Sequence, residues 1–183
     1  IKRWPSCRGT HNAVLAALAF RDRGIVGADI ARVSVQVGPP NDMLFVPRAQ
    51  RVAPQTAIDG KFSIPFVFAS VMEAGELTLS SFTFERLHAP EILALAQRTT
   101  MSADPVPMGS EAIYTVEALN GEIQSEVIDA VPAWRARDIN LYELLPKVQT
   151  CFGFSSQSPD ATAFLAAIAS LESQPLAALM RML

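Results

Sequence analysis

The spacing of apolar residues predicts six helices, several of which begin at a proline. Apolar residues recur with a helical period. Proline suits the first turn of a helix because the N–H that it lacks would have no intrahelical partner at that position. The first predicted helix is 10–23, which is capped by Thr10 and ended by Gly24, and the second is 62–73, which is entered through Pro65 and ended by Gly75. The next two are 90–98 and 141–150, the latter interrupted or bent at Pro146. The last two open at Ser158–Pro159 and at Pro175. The last two carry more apolar surface than they can bury alone.

Alternation of apolar and polar residues predicts the strands. Residues 31–37 alternate in this way, and 112–119 and 122–130 flank the dipeptide Asn120–Gly121. Asn-Gly favours a two-residue type I′ hairpin turn. Pairing across such a turn is predicted to place six side chains from the two strands on one face, namely Tyr114, Val116, Ala118, Val127, Ser125 and Ile123.

The order of these elements predicts the fold class. Residues 43–46 form a short apolar run that suits an edge strand, whereas 48–60 have no period and are predicted as a loop. Helices that interleave with strands, at least two of them antiparallel, favour an α+β fold over a doubly wound parallel sheet. We therefore expect a two-layer sandwich with an antiparallel sheet.

Length and charge exclude two classes of function. A chain of 183 residues, half of them apolar, is long enough to bury roughly 70% of its unfolded surface in one domain. Only 18% of residues are charged, and 15 Lys and Arg against 18 Asp and Glu leave no basic surface for a nucleic acid. The longest apolar run, 13–20, is too short to span a membrane.

The few soft ligands argue against a metal site. Cys7 and Cys151 are far apart in sequence, which favours a reducing, cytoplasmic setting, and His11 and His88 are too few for a zinc site built from histidine. The chain starts at Ile1 rather than at methionine, so we expect the native start to lie upstream.

The segment 2–11, Lys-Arg-Trp-Pro-Ser-Cys-Arg-Gly-Thr-His, concentrates three cations, a thiol and an imidazole at the start of the first predicted helix. The positive end of a helix attracts carboxylates and disfavours a protonated imidazole, which leaves His11 able to accept a proton. The other interpretation is a solvated helix start whose histidine makes local hydrogen bonds. Taken alone, these residues favour this second interpretation, because such clusters mark functional sites only statistically.

Two segments resemble motifs of a known family. The segment 2–11 resembles the K-x-(aromatic)-P-x-C…H motif of the MmgE/PrpD family, which includes 2-methylcitrate dehydratase, cis-aconitate decarboxylase and iminodisuccinate epimerase. The segment 61–69, Lys-Phe-Ser-Ile-Pro-Phe-Val-Phe-Ala, resembles the family's A-x-F-S-(apolar)-P-Y-x-x-A motif. Together with the order of the later elements, the resemblance covers nearly the whole chain, but only the C-terminal portion of the family.

The resemblance implies an architecture and a chemistry. It implies an all-helical domain upstream, an α+β lid formed by 1–150, a helical segment 151–183 that packs back on the helical domain, and a homodimer. It also implies chemistry without a metal or another cofactor on di- and tricarboxylates, at the carbon next to a carboxylate. Elimination of water, decarboxylation and epimerisation all belong to this class.

The same resemblance implies roles for individual residues. His11 occupies the motif's histidine position and would be the acid/base residue of the lid. Lys2 would anchor a substrate carboxylate, and Arg8 is a second candidate for that task. Ser63 would donate a hydrogen bond to substrate, or would cap its own helix. Phe66 stands in the substrate site where the family commonly has tyrosine, so a hydroxyl is missing there.

A second class of function stays open. The remaining catalytic residues of the family lie in the helical domain, so residues 1–183 alone would be inactive. A catalytically inactive carboxylate-binding or protein-interaction module with the same lid fold would keep Lys2 and Arg8 but tolerate the loss of His11.

Overall fold

The structure, a computed structural model, describes residues 2–103, 111–129, 141–155, 159–173 and 175–182. Contacts divide them into two compact units, one within residues 2–129 and the other within 141–182. The predictions for Ala130 and Ser158 lie outside the described residues. Across the described part of the chain, no helix combines the length and the apolar character that a membrane crossing requires.

The first unit contains six helices and four strands among its described residues. The helices are α1 (His11–Asp22), α2 (Arg48–Val52), α3 (Ala57–Lys61), α4 (Ile64–Ala74), α5 (Phe84–Leu87) and α6 (Pro90–Arg98). The strands are β1 (Ile30–Val37), β2 (Thr99–Met101), β3 (Glu111–Ala118) and β4 (Ile123–Asp129). Short 3₁₀ turns connect several of them, and one of these, Arg8–Thr10, leads directly into α1.

The strands form one mixed sheet in the order β2-β1-β3-β4. The β1–β3 and β3–β4 pairs are antiparallel, whereas β2 pairs with β1 in parallel. Helix α6 ends where β2 begins, so one tight connection returns the chain to the edge of the sheet. The predicted α+β class is confirmed.

The core lies between the sheet and the helices α1, α4 and α6. Alternate residues of β1 and β3 are buried on this side, and the nine residues of α4 from Ile64 to Met72 are all buried. The largest fully buried side chains include Tyr114, Phe20, Phe66 and Phe68. The rings of Phe68 and Tyr114 stack with centroids 5.6 Å apart, which joins α4 to the centre of the sheet.

The long helices follow the local signals in the sequence. The predicted 10–23 corresponds to α1, 62–73 to α4, and 90–98 to α6. Gly24 and Gly75 follow α1 and α4 with φ of 83° and 77°, a left-handed conformation that costs glycine little. These three predictions are confirmed.

Two predictions in the first unit are wrong, and one strand was not predicted. Residues 41–44 form a 3₁₀ turn where 43–46 was predicted as an edge strand, and 48–60 contains α2 and the start of α3 rather than a loop. Both helices have five residues, too few to show a helical period. The strand β2 was not predicted, because three residues are too few to establish an alternation.

The predicted register of the hairpin is also wrong. Glu117 pairs with Ile123, and the N–H of Ala118 bonds to the carbonyl of Glu122, so three residues form the loop instead of two. Among the turn residues only Gly121 has positive φ, at 85°, whereas a type I′ turn needs two such residues. The extra loop residue shifts the pairing by one, so Ile123, Ser125 and Val127 lie on the face opposite Tyr114 and Val116.

The second unit contains three helices, α7 (Leu145–Phe152), α8 (Ala161–Ala169) and α9 (Leu176–Met180). Residues Leu141–Leu144 form a 3₁₀ turn and α7 begins at Leu145, with Pro146 in its first turn, so the predicted helix 141–150 is interrupted next to Pro146, one of the two predicted outcomes. Asp160 caps α8 by accepting the N–H of Ala163 at 2.7 Å, so this helix starts later than the predicted Ser158–Pro159. The predicted opening of α9 at Pro175 is confirmed.

Candidate functional site

The segment before α1 is held by hydrogen bonds within itself. The Thr10 hydroxyl donates to the carbonyl of Cys7 at 2.8 Å and lies 2.8 Å from the Ser6 hydroxyl. The Lys2 ammonium donates to the carbonyl of Ser6 at 3.2 Å. Thr10 occupies the predicted N-cap position, but its side chain caps no N–H of α1, and its hydroxyl is engaged with Ser6 and Cys7 instead.

Gly9 packs closely on the turn 41–44. A Cβ atom on Gly9 would lie 2.3 Å from Oδ1 of Asn41 and 2.7 Å from Cδ1 of Leu44. Both distances are shorter than van der Waals contact, so a larger residue requires the ends of these two side chains, or the segment itself, to shift.

The two sequence segments that carry the family resemblance lie against each other. The N–H of Cys7 donates to the carbonyl of Lys61 at 3.0 Å, which joins the first segment to the end of α3. The Lys61 ammonium lies 5.4 Å from the centroid of the Phe82 ring, a cation–π contact. The fold therefore gathers both segments at one place, although Cys7 and Lys61 are 54 positions apart in sequence.

His11 is the first residue of α1 and is fully buried. The ring of Trp4 meets the imidazole edge to face, with centroids 5.1 Å apart and an angle of 85° between the planes. The guanidinium of Arg3 lies 5.0 Å from the centroid of the Trp4 ring. An exposed cation, a buried indole and a buried imidazole thus follow one another from the surface inward.

The cations of the segment face the solvent. Lys2, Arg3 and Arg8 are all exposed, and Cys7 is half-buried. Exposed ammonium and guanidinium groups close together in sequence favour an anionic group at this surface. The arrangement can therefore hold a carboxylate, whereas the imidazole of His11 is out of contact with solvent.

Ser63 caps helix α4. Its hydroxyl oxygen accepts the N–H of Phe66 at 3.0 Å, and its hydroxyl proton is donated to the carbonyl of Arg51. The side chain is fully buried. The helix cap, one of the two roles predicted for Ser63, is confirmed.

Phe66 lies in the core directly beneath the cap. It is fully buried, and its ring centroid lies 6.3 Å from that of Phe82. A Cβ atom on Gly60 would approach within 3.3 Å of the Phe66 ring, so the end of α3 packs tightly on it. Phe66 thus anchors the segment 61–69 in the hydrophobic core.

A buried polar pair next to His11 was not predicted. The hydroxyl of Tyr114, on β3, donates to Oδ1 of Asn12 at 3.0 Å, and both side chains are buried. Burial raises the pKa of Tyr114 well above its usual value of 10.0, so the hydroxyl keeps its proton. The only signal in the sequence is a tyrosine at a core-facing strand position, where its hydroxyl needs a partner.

Among the residues that the structure describes, no three His, Cys, Asp or Glu side chains lie close enough together to hold a metal ion.

Comparison with known proteins supports the family that the two segments resemble. A search of curated proteins finds no significant match. The family model for the MmgE/PrpD C-terminal domain matches residues 4–173, which include His11 and Arg8 but not Lys2, together with the whole of the segment 61–69. The chain therefore belongs to the MmgE/PrpD family, as its C-terminal domain.

Proposed function

We propose that the chain is the lid part of a lyase or isomerase that acts on a di- or tricarboxylate, at the carbon next to a carboxylate. The observation that carries this proposal is the backbone hydrogen bond from Cys7 to Lys61, which joins the two family-like segments, the first of which carries three exposed cations. An upstream all-helical domain would supply the other wall of the site, and the enzyme would be a homodimer.

Lys2 and Arg8 would bind the substrate's carboxylates. Both are exposed, and both belong to the segment that the Cys7–Lys61 bond holds in place. Arg8 offers a planar fork that matches a carboxylate, whereas Lys2 offers a point charge. The same cations stabilise the negative charge that develops on a carboxylate when the neighbouring carbon loses its proton.

His11 would move the proton. Its neutral imidazole takes the proton from the carbon, and the electron pair of the C–H bond delocalises into the adjacent carboxylate. The imidazolium can then protonate a departing hydroxyl group, which leaves as water and forms a double bond. Epimerisation would need a second acid, from the other wall of the site, to protonate the opposite face of the carbon while His11 keeps the first proton. In a decarboxylation, the carbanion left by carbon dioxide takes the proton.

Access to His11 sets a condition on this mechanism. The imidazole is fully buried and Trp4 covers one edge of it. Proton transfer to substrate therefore requires the Trp4 ring, or the segment that carries it, to move.

The first measurement is the intact mass of the polypeptide as it is produced in its own cells, because this identifies the chain to assay. That protein is incubated with citrate-like acids in deuterated water, and deuterium at the carbon next to the carboxylate is followed by mass spectrometry. We expect His11→Asn to slow exchange by about 100-fold or more, the usual effect of removing a general base. Exchange at the unaltered rate would exclude His11 as the base.

The carboxylate-binding role is tested separately. We expect Lys2→Ala and Arg8→Ala each to raise KM by about tenfold, because each removes one charged contact to substrate. Arg32→Ala is the matched control, since Arg32 is an exposed cation on β1 that pairs with Glu117. Equal effects at all three positions would mean that net charge, rather than a site, governs binding.

A carboxylate-binding module without chemistry is the second candidate, and the burial of His11 favours it. Such a module binds citrate-like acids through Lys2 and Arg8 and exchanges no proton with them. Calorimetry in two buffers of different ionisation enthalpy distinguishes the two functions. Binding without proton exchange, unchanged in His11→Asn, together with no incorporation of deuterium, would favour the module.

A further inference from the structure

The first turn of α1 has an anchor on the sheet. Asn12 lies in this turn, directly after His11, and accepts the hydrogen bond of Tyr114 from the middle of β3. Phe68 stacks on the Tyr114 ring at a centroid distance of 5.6 Å with the planes 12° apart. Because burial keeps the Tyr114 hydroxyl protonated, it stays a hydrogen-bond donor at any pH near neutrality.

No side-chain cap fixes this turn. Thr10 makes no capping hydrogen bond to α1, since its hydroxyl is engaged with Ser6 and Cys7. The 3₁₀ turn Arg8–Thr10 holds the backbone at this point, since the N–H of His11 bonds to the carbonyl of Arg8. The bond between Tyr114 and Asn12 adds a side-chain link from the first turn of α1 to the sheet.

Helix geometry links Asn12 to His11. Successive residues of an α-helix are about 100° apart around the axis, since one turn takes 3.6 residues. If Asn12 is held against β3, the rotation of the first turn is set, and the direction of the His11 imidazole is set with it. The edge-to-face contact with Trp4 then depends on that direction.

We infer that Tyr114 and Asn12 form a positioning pair, whose hydrogen bond fixes the first turn of α1 and thereby the imidazole of His11. This inference depends on the proposed function for its catalytic consequence, because a fixed imidazole matters to turnover only if His11 transfers the proton. Its structural part concerns the imidazole alone and can be measured without substrate.

The test compares three variants in the complete polypeptide. Tyr114→Phe removes the donor, and Asn12→Ala removes the acceptor. Thr99→Val is the matched control, because Thr99 is also fully buried and also loses one hydroxyl hydrogen bond, to the carbonyl of Leu95 at 3.0 Å, but lies on β2. Histidine is labelled selectively with ¹⁵N, and the signal of His11 is assigned by its loss in His11→Asn.

We expect Tyr114→Phe and Asn12→Ala to shift the imidazole signals of His11 and to lower kcat at least tenfold with KM within twofold. The double variant should shift the signals no further than Asn12→Ala alone, because the two residues act through one bond. Thr99→Val should leave the His11 signals and kcat unchanged.

Two outcomes overturn the inference. One is a His11 signal in Tyr114→Phe at the position found in the unaltered protein, and the other is an equal shift in Thr99→Val. Failure of the proposed function is recognised differently, by normal turnover in His11→Asn. In that case the signals still decide whether Tyr114 positions the imidazole. Should Tyr114→Phe fail to fold, Asn12→Ala decides by the same comparison.

Discussion

Helices α4 and α8 are similar in sequence character but opposite in environment. Both are almost entirely apolar, yet nine consecutive residues of α4 are buried, whereas only Ala161 and Leu165 of α8 are. The difference lies in their neighbours, since α4 packs between α1, α6 and the sheet. An apolar helix is thus not by itself a buried helix, and the exposed apolar side chains of the second unit need a partner to be covered.

The largest effect is expected at the centre of the first unit. Phe68→Ala should lower the free energy of unfolding by about 3–5 kcal/mol, because it removes a fully buried ring that stacks on Tyr114 and meets Phe20 edge to face. Val127→Ala on β4, where the side chain is 60% exposed, should cost less than about 0.5 kcal/mol. Urea unfolding measures the change in the free energy of unfolding for both variants, and changes of similar size would contradict the assignment of the core.

The second unit should respond according to whether its apolar surface is covered. Leu176, on α9, is 62% exposed among the described residues. Since we propose that an upstream helical domain covers this face, Leu176→Gln in the complete polypeptide should lower the free energy of unfolding by about 1.5–3 kcal/mol. If unfolding is unchanged to within about 0.5 kcal/mol, the side chain faces solvent and the proposed partner does not lie there.

The contrast between the two units also shows which features sequence can predict. The bounds of α1, α4 and α6 follow from a period, a proline or a glycine, all of which are local. Helix α3 had a local signal too, because Thr56 and Asp59 form a reciprocal capping box at its start. The register of the hairpin was not predictable from Asn120–Gly121, since one further loop residue reverses the two faces.

The site was predictable only in part. The cation-rich segment before α1 is visible in sequence because its residues are consecutive. Its contact with Lys61 and the bond between Asn12 and Tyr114 join residues 54 and 102 positions apart, and no local pattern encodes such pairs. The burial of His11 was not predicted either, because the residues around it do not show that its side chain faces the core and contacts the Trp4 ring.

A steric test separates the tightly packed start of the first unit from the looser second unit. Gly9→Ala should cost about 1–3 kcal/mol, because its Cβ would overlap Asn41 and Leu44. Gly153, after α7, is the matched control, since its Cβ would meet nothing closer than 3.5 Å and its φ is −58°. Gly153→Ala should therefore be neutral or stabilise by up to about 1 kcal/mol. Thermal unfolding of both variants measures the two changes in stability, and a neutral Gly9→Ala would mean that the ends of the Asn41 and Leu44 side chains move aside without cost.

The smallest effect is expected at two helix caps, one in each unit. Ser63→Ala and Asp160→Ala each remove a side chain that accepts one backbone N–H, at 3.0 Å and 2.7 Å respectively. A lost cap costs about 1 kcal/mol. Ser63→Ala should cost more than Asp160→Ala, because Ser63 is fully buried and its loss also leaves the carbonyl of Arg51 without that donor. Urea unfolding gives both free energies, and a larger cost for Asp160→Ala would mean that the caps differ for a reason other than burial.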